Sequence, residues 1–318
     1  MLERLCRFGR SSTLAGLLAK SQREILQTPL DALICHQAGV QLDPELAQVD
    51  ALPLAAISYL GEDLQAEKPS ARDGYFMFAD PAHLVLQRDS FALASPVPIN
   101  LSPEESGRLL DSLNQHFDSD GLKFIQGTSG HWYLQQMHQP QIMTFHPEMA
   151  INRDINAFLP QGAEAANWNQ LINEIQMLLF SHPVNQERES RGLPACNSLW
   201  FWGGGKLPEQ YSNKMSAVYA SAPLLKGLCR LGDINCQVMP AEFPITGVLD
   251  TTWMVFDEAH QLDEAWFEAA IKSLASGRIK TLQLYFAVDG KVLKSSLRRR
   301  DLWKFWQKSV AIQSYFEV

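Results

Sequence analysis

No apolar run in the chain approaches the roughly 20 residues that a bilayer-spanning helix needs. The opening residues, MLERLCRFGRSSTLAGLLAK, have no apolar core of the kind a secretory leader carries, and they read instead as an amphipathic first helix. A cytoplasmic protein is expected. Cysteine is sparse: Cys6, Cys35, Cys196, Cys229 and Cys236 form an odd set with no CxxC pair and no histidines at zinc spacing. Neither a disulfide framework nor a zinc module is expected, and buried, reduced thiols are.

Positive charge is also scarce, with 27 Lys and Arg against 35 Asp and Glu and a formal net charge of −8. Phosphate backbones and anionic membranes reward the opposite balance across a whole binding face. The expected partner is therefore a small anionic metabolite or a protein, with no nucleic acid and no membrane.

The familiar nucleotide loops are missing too. NSLWFWGGGKLP, Asn197 to Pro208, has a glycine run and Lys206, but Leu207 stands where a P-loop needs a hydroxyl for magnesium. Pro208 occupies the last glycine of a dinucleotide fingerprint. What remains is an apolar strand, with Trp200 and Trp202 on one face and Phe201 on the other, ending beside a crevice at its carboxyl end. DEAH, Asp257 to His260, has no phosphate loop elsewhere to make it a helicase box, and there is no GxSxG or HExxH.

What the chain does have is a core's worth of apolar residues, 46% of 318. Residues 1–54 read as helical, with apolar spacing in LAGLLAKSQREIL and TPLDALICHQAGV. Residues 55–136 read as a small α+β module, in which Ser102 and Glu105 form a capping box. Residues 137–318 alternate strand and helix after a connector, which predicts an α/β core with a largely parallel sheet.

HPVNQERESRGLPACNSLWFWGGGKLP, SAVYASAPLLKGLCRLGDI and ITGVLDT together resemble the archaeal-type cofactor-independent phosphoglycerate mutases of the alkaline phosphatase superfamily. His182, Pro183, Asn185, Arg188, Gly192, Asn197, Trp200, Trp202, Gly203, Gly205, Lys226, Gly227, Thr246, Gly247, Asp250 and Thr251 match that family's signatures in order. The chain is also similar to shorter bacterial regulatory proteins of the RpfE type. The resemblance implies an alkaline-phosphatase-like core, an inserted substrate-binding module over 55–136, and, in active members, a serine nucleophile beside two divalent metals such as Mn or Zn.

This chain departs from that pattern. No apolar strand ends in Asp-Gly before residue 50, no SDxA-like turn is present, and Ala79 of ADPAHL stands where the serine would be. Asp257, Glu258, His260 and Asp263 echo the terminal metal motif imperfectly. A non-catalytic relative with a binding or regulatory role, and no cofactor, is the expectation. The alternative is an active metal-dependent phosphomutase or phosphatase drawing ligands from Asp80, His83, Asp250, Asp257 and His260.

For a residual anion site the candidates are Arg88, Arg188, Arg191, Asn197 and Lys206, since guanidinium groups grip phosphate or carboxylate through paired donors. Surface ion pairing with Asp89, Glu187 or Glu189 is the competing reading. In RRRDLWKFWQK, Trp303 and Trp306 at i, i+3 are expected to pin a last helix to the core, a basic aromatic patch being the other reading.

Overall fold

The structure, a computed structural model, describes residues 12–40, 52–64, 70–72, 74–88, 90–209, 211–212, 214–240, 242–244, 252–256, 264–288, 291–310 and 312–315. The first elements are α1 (Ser12–Lys20), β1 (Gln22–Leu26), α2 (Leu30–Ala38) and α3 (Leu54–Gly61). Next come β2 (Tyr75–Ala82), β3 (Leu84–Leu86), β4 (Phe91–Leu93), α4 (Pro103–Phe117), β5 (Lys123–Gln126) and β6 (Trp132–Gln136). Then follow α5 (Ala165–Phe180), α6 (Pro183–Ser190), β7 (Ser198–Gly205), β8 (Ala217–Tyr219), α7 (Pro223–Leu231) and β9 (Cys236–Gln237). The last are β10 (Thr252–Met254), α8 (Glu264–Ala275), β11 (Thr281–Val288) and β12 (Lys291–Arg298). Among the described residues no helix is long and apolar enough to cross a membrane.

Two compact units share the chain: one of residues 38–213 with 222–232, the other of 1–37, 214–221 and 233–318. The larger is built on a four-stranded sheet, ordered β5-β6-β2-β7, in which every pairing is antiparallel. Side chains alternate across it with a period of two. Tyr75, Met77, Ala79, Trp132, Leu134, Leu199 and Phe201 face a core made with Leu109, Leu113 and Phe117 of α4 and Trp168, Ile175 and Leu179 of α5. On the opposite face Tyr59 of α3 stacks on Phe76 at 4.5 Å, and Phe78 stacks on Trp202 at 4.3 Å. With both faces covered, all eight residues of β2 are buried.

The capping box forms as read: Glu105 N donates to Ser102 Oγ at 3.1 Å and Ser102 N to Glu105 Oε2 at 2.8 Å. Both groups would otherwise be unsatisfied at the start of α4.

In the smaller unit β1, β12 and β11 make an antiparallel sheet, with a core of Leu14, Leu17 and Leu18 of α1, Trp266, Phe267 and Leu274 of α8, and Leu293 and Leu297 of β12. Among the described residues, parallel strands occur only in the short β10-β8-β9 sheet, with one isolated parallel bridge between Leu93 and Ile151. Cys35, Cys196 and Cys229 are buried free thiols and Cys236 a half-buried one.

Three expectations are corrected. The fold is mixed α/β, but its main sheets are antiparallel, because β7 pairs not with a strand of its own alternating segment but with β2, Asp80 opposite Trp200. That pairing joins strands from both sides of residue 137 and leaves β7 at the sheet's edge, where helices and the 137–160 connector bury it in place of a second strand. The helix expected through LAGLLAKSQREIL stops at Lys20, because Gln22–Leu26 finds β12 as a partner. No last helix carries Trp303 and Trp306. Arg298 ends β12, a single 3-10 turn spans Arg299–Trp303, and both rings are exposed.

Helices α3 and α7 cross at Gly61 and Gly227. A Cβ on Gly227 would lie 1.8 Å from Ile57 O, and one on Gly61 1.8 Å from Pro223 O, both backbone atoms that cannot turn aside. Gly107, inside α4, faces open space. Gly227→Ala should therefore lower unfolding stability by about 1–3 kcal/mol or more, whereas Gly107→Ala should raise it by roughly 0.5–1 kcal/mol. Urea unfolding of both variants checks the contrast, and equal effects would contradict the crossing.

Candidate functional site

The segment from His182 to Asn197 joins α5 to β7 and contains six of the sixteen signature residues and three of the five ligand candidates. Its polar side chains close backbone debts. His182 precedes Pro183 at the first turn of α6, and its Nδ1 accepts Val184 N at 3.2 Å. With Nδ1 an acceptor, Nε2 carries the proton and faces Ser112 Oγ at 3.0 Å. Asn185 is buried. Its Nδ2 donates to Leu179 O at 2.8 Å and Cys196 O at 2.7 Å, while its Oδ1 accepts Cys196 N at 2.8 Å.

Arg188, 3% exposed, donates from Nε to Pro194 O at 2.8 Å and from Nη1 to Glu105 Oε2 at 2.7 Å. Gly192 takes φ +71, the left-handed turn that ends α6. Asn197 clamps Leu84, accepting its N–H at 2.7 Å and donating to its carbonyl at 2.9 Å. Cys196 and Leu84 are buried, and their peptide groups would otherwise go unpaired.

The five ligand candidates therefore have distinct surroundings. Arg188 and Arg191 meet at Glu105, whose other oxygen is bonded by Arg191 Nη2. Burial pushes the Glu105 carboxyl up, but the Ser102 N–H and the two guanidinium groups outweigh it and hold it below the usual carboxylate range. Asn197 is committed to Leu84. Arg88 and Lys206 are exposed and have no hydrogen bond or ion pair among the described residues. Arg108, not Arg188 or Arg191, makes the bidentate pair with Glu187, at 2.9 and 3.0 Å.

The glycine run is not a crevice lining. A Cβ on Gly204 would sit 2.0 Å from Tyr75 Oη, and one on Gly205 2.6 Å from Pro53 Cβ. The close approach these glycines permit is to the chain's own side chains.

Two buried carboxylates escaped the sequence reading as structural centres. Asp80 has no exposed surface; its Oδ2 accepts Trp202 Nε1 at 2.8 Å, and its Oδ1 accepts Trp132 N at 3.3 Å and lies 2.8 Å from His131 Nδ1. Glu62, at the C-terminus of α3, gathers Thr128 N and Oγ1 at 2.8 and 2.6 Å, Ser129 N and Oγ at 3.2 and 2.5 Å, and Tyr133 Oη at 2.9 Å. Burial, then the Glu62 charge, pushes the Tyr133 hydroxyl well above its ordinary range. No local signal marks either: Glu62 meets Thr128 66 residues along the chain and Asp80 meets Trp202 122 residues along.

A two-metal centre does not fit the described residues. No three His, Cys, Asp or Glu side chains among them are placed to hold an ion, and both Asp80 oxygens are taken by N–H donors. His83 donates from Nδ1 to Ala195 O at 2.8 Å. Asp250, Asp257, His260 and Asp263 lie outside the described residues, as do Thr246, Gly247 and Thr251.

No protein-family model matches the chain. Over 195 residues it is 25% identical to the 2,3-bisphosphoglycerate-independent phosphoglycerate mutase of Methanosarcina mazei, an alignment covering 54% of this chain and 48% of that one. The corresponding protein of Methanothrix thermoacetophila is 33% identical over 176 residues, 50% of this chain and 44% of its own. A probable mutase of Geobacter sulfurreducens is 26% identical over 218 residues, 66% and 52% of the two chains. The chain spans about half the length of the curated relatives it matches.

Among solved structures, the cofactor-independent phosphoglycerate mutase of Thermoplasma acidophilum superposes with a TM-score of 0.40 at 19% identity, over 96% of this chain and 86% of that one. A Pyrococcus horikoshii protein gives 0.43 at 14% identity, over 94% and 84%. At low identity and over about half its length, the chain is homologous to the 2,3-bisphosphoglycerate-independent phosphoglycerate mutases.

Burial, followed by the charge of Arg108, lowers the His182 pKa below its ordinary value of 6.5. The unfolded imidazole takes up its proton near 6.5 and the folded one only at lower pH, so the unfolded state binds more protons in between. Stability should be full above pH 6.5 and fall as the pH drops through that window. His182→Asn, which keeps an acceptor for Val184 N, should flatten this slope in urea midpoints measured from pH 7.5 to 5. An unchanged slope would contradict the assignment.

Proposed function

We propose that the chain is a non-catalytic relative of the cofactor-independent phosphoglycerate mutases, an alkaline-phosphatase-like scaffold that binds a small anionic metabolite or a protein partner in a regulatory role of the RpfE type, in the cytoplasm. The observation that carries this reading is the use made of the matching signature residues. His182, Asn185, Arg188 and Asn197 turn their side chains to this chain's own backbone, to Ser112 and to Glu105. Groups so engaged hold a loop in place without turning toward a substrate.

Two further features support it. Ala79, where the resemblance would put the nucleophile, is buried in the middle of β2 rather than carried on an exposed turn. Asp80, beside it, is fully buried, with Trp202 Nε1 on one oxygen and Trp132 N and His131 on the other, so it serves this chain's own groups. Arg88 and Lys206 keep exposed charges that an anionic ligand or partner could meet.

The purified chain should neither interconvert 2- and 3-phosphoglycerate nor hydrolyse simple phosphate esters with manganese, zinc or magnesium supplied. Turnover above the metal-only blank that is abolished by Asp257→Ala or His260→Ala would overturn this and establish an active phosphomutase or phosphatase.

A further inference from the structure

We propose that the segment from Arg298 to Val310 is a docking surface for anionic phospholipid membranes, which the chain would touch from one side without crossing. Its apolar load faces water: Trp303 is 73% exposed, Phe305 82% and Trp306 64%. Large rings clustered in this way are rare on a surface with no partner, since each leaves its hydrophobic area unburied.

The segment is held in place rather than loose. Asp301, buried, accepts Arg298 N at 2.9 Å and pairs with Lys304 Nζ at 2.8 Å. Leu302 packs against the core of its unit, and Lys304 Nζ donates to Lys20 O at 3.2 Å. At the far end Val310 N donates to the hydroxyl of the buried Tyr315 at 3.1 Å. The base is fastened at both ends, and the three rings project from it.

Charge selects the occupant. From Lys291 to Tyr315 the sequence has seven Lys or Arg and one Asp, in a chain of net charge −8. Lys304 is spent on Asp301 and Lys294 lies 3.7 Å from Glu24, but Arg299, Arg300 and Lys308 are exposed. Indole and phenyl rings among Arg and Lys suit the headgroup boundary of an anionic bilayer, where rings sit among the lipid carbonyls and cations meet phosphates. Single-stranded nucleic acid wants parallel stacking platforms for successive bases. Phe305 and Trp306 instead meet edge to face at 80°, which makes a wedge.

The test is co-sedimentation of the full chain with vesicles of phosphatidylcholine alone and of phosphatidylcholine with phosphatidylglycerol at about three to one. The chain should pellet with the anionic vesicles only, and added salt should weaken this. Replacing Trp303, Phe305 and Trp306 together by Ala should cut partitioning at least about tenfold. Arg299→Gln and Arg300→Gln should each cut it about fivefold. All five side chains are exposed, so the circular dichroism of these variants should match that of the parent. Absence of binding to anionic vesicles, or a triple-Ala variant that pellets like the parent, overturns the proposal. Oligouridylate binding, or a dimer, that the triple-Ala variant loses would assign the surface to RNA or to a second copy instead.

Discussion

The larger unit depends on one constraint: Ala195 and Cys196, which deliver the chain into β7, are buried, as is Leu84 beside them, so peptide groups there must find partners inside the protein. Asn185 meets both backbone groups of Cys196, Asn197 both those of Leu84, and Arg188 the carbonyl of Pro194. Each orphaned group would cost about 1–3 kcal/mol, so leaving several unmet would rival the whole stability of a domain. Arg188 in turn requires Glu105, which requires the start of α4, and so helix α4 is tied to the loop that feeds the strand. From there Trp202 donates to Asp80 of the neighbouring strand β2, adding a side-chain bond to the backbone ladder that joins the two strands.

That constraint gives the mutase signature a second meaning. A motif shared with enzymes invites a catalytic reading, yet polar residues that anchor a buried loop recur for architectural reasons as readily as for chemical ones. In this chain the geometry favours architecture for His182, Asn185, Arg188 and Asn197. The buried thiol of Cys196, pushed up to about 12 by its burial, fits the same picture of an inert, closely packed turn.

Local chemistry was legible in the sequence and pairing was not. Ser102 and Glu105 announce a capping box because cap and helix lie three residues apart. The period of two in LWFW correctly places Trp200 and Trp202 opposite Phe201, since Trp202 meets Phe78 while Phe201 meets Trp168. Nothing within β7 says that its neighbour is β2, more than a hundred residues earlier, so strand and helix alternation suggested a largely parallel core, whereas the parallel sheet among the described residues is the small β10-β8-β9 one. The β11–β12 pairing had a local signal, Asp289-Gly290 between alternating runs, the dipeptide that favours tight hairpins. Trp303 and Trp306 kept helical spacing without a helix, because the extended β12 runs on to Arg298. At the candidate site, Arg188 stood out as a cation, but only the fold could show that Glu105, 83 residues away, was its partner.

The central claim is that Arg188 serves the fold. A double-mutant cycle with Glu105→Gln and Arg188→Met, read by urea unfolding, tests it most directly. The account predicts a coupling above about 1 kcal/mol, because the two groups share a buried bond at 2.7 Å. Coupling within about 0.3 kcal/mol of zero would contradict it and return Arg188 to the list of ligand-binding groups.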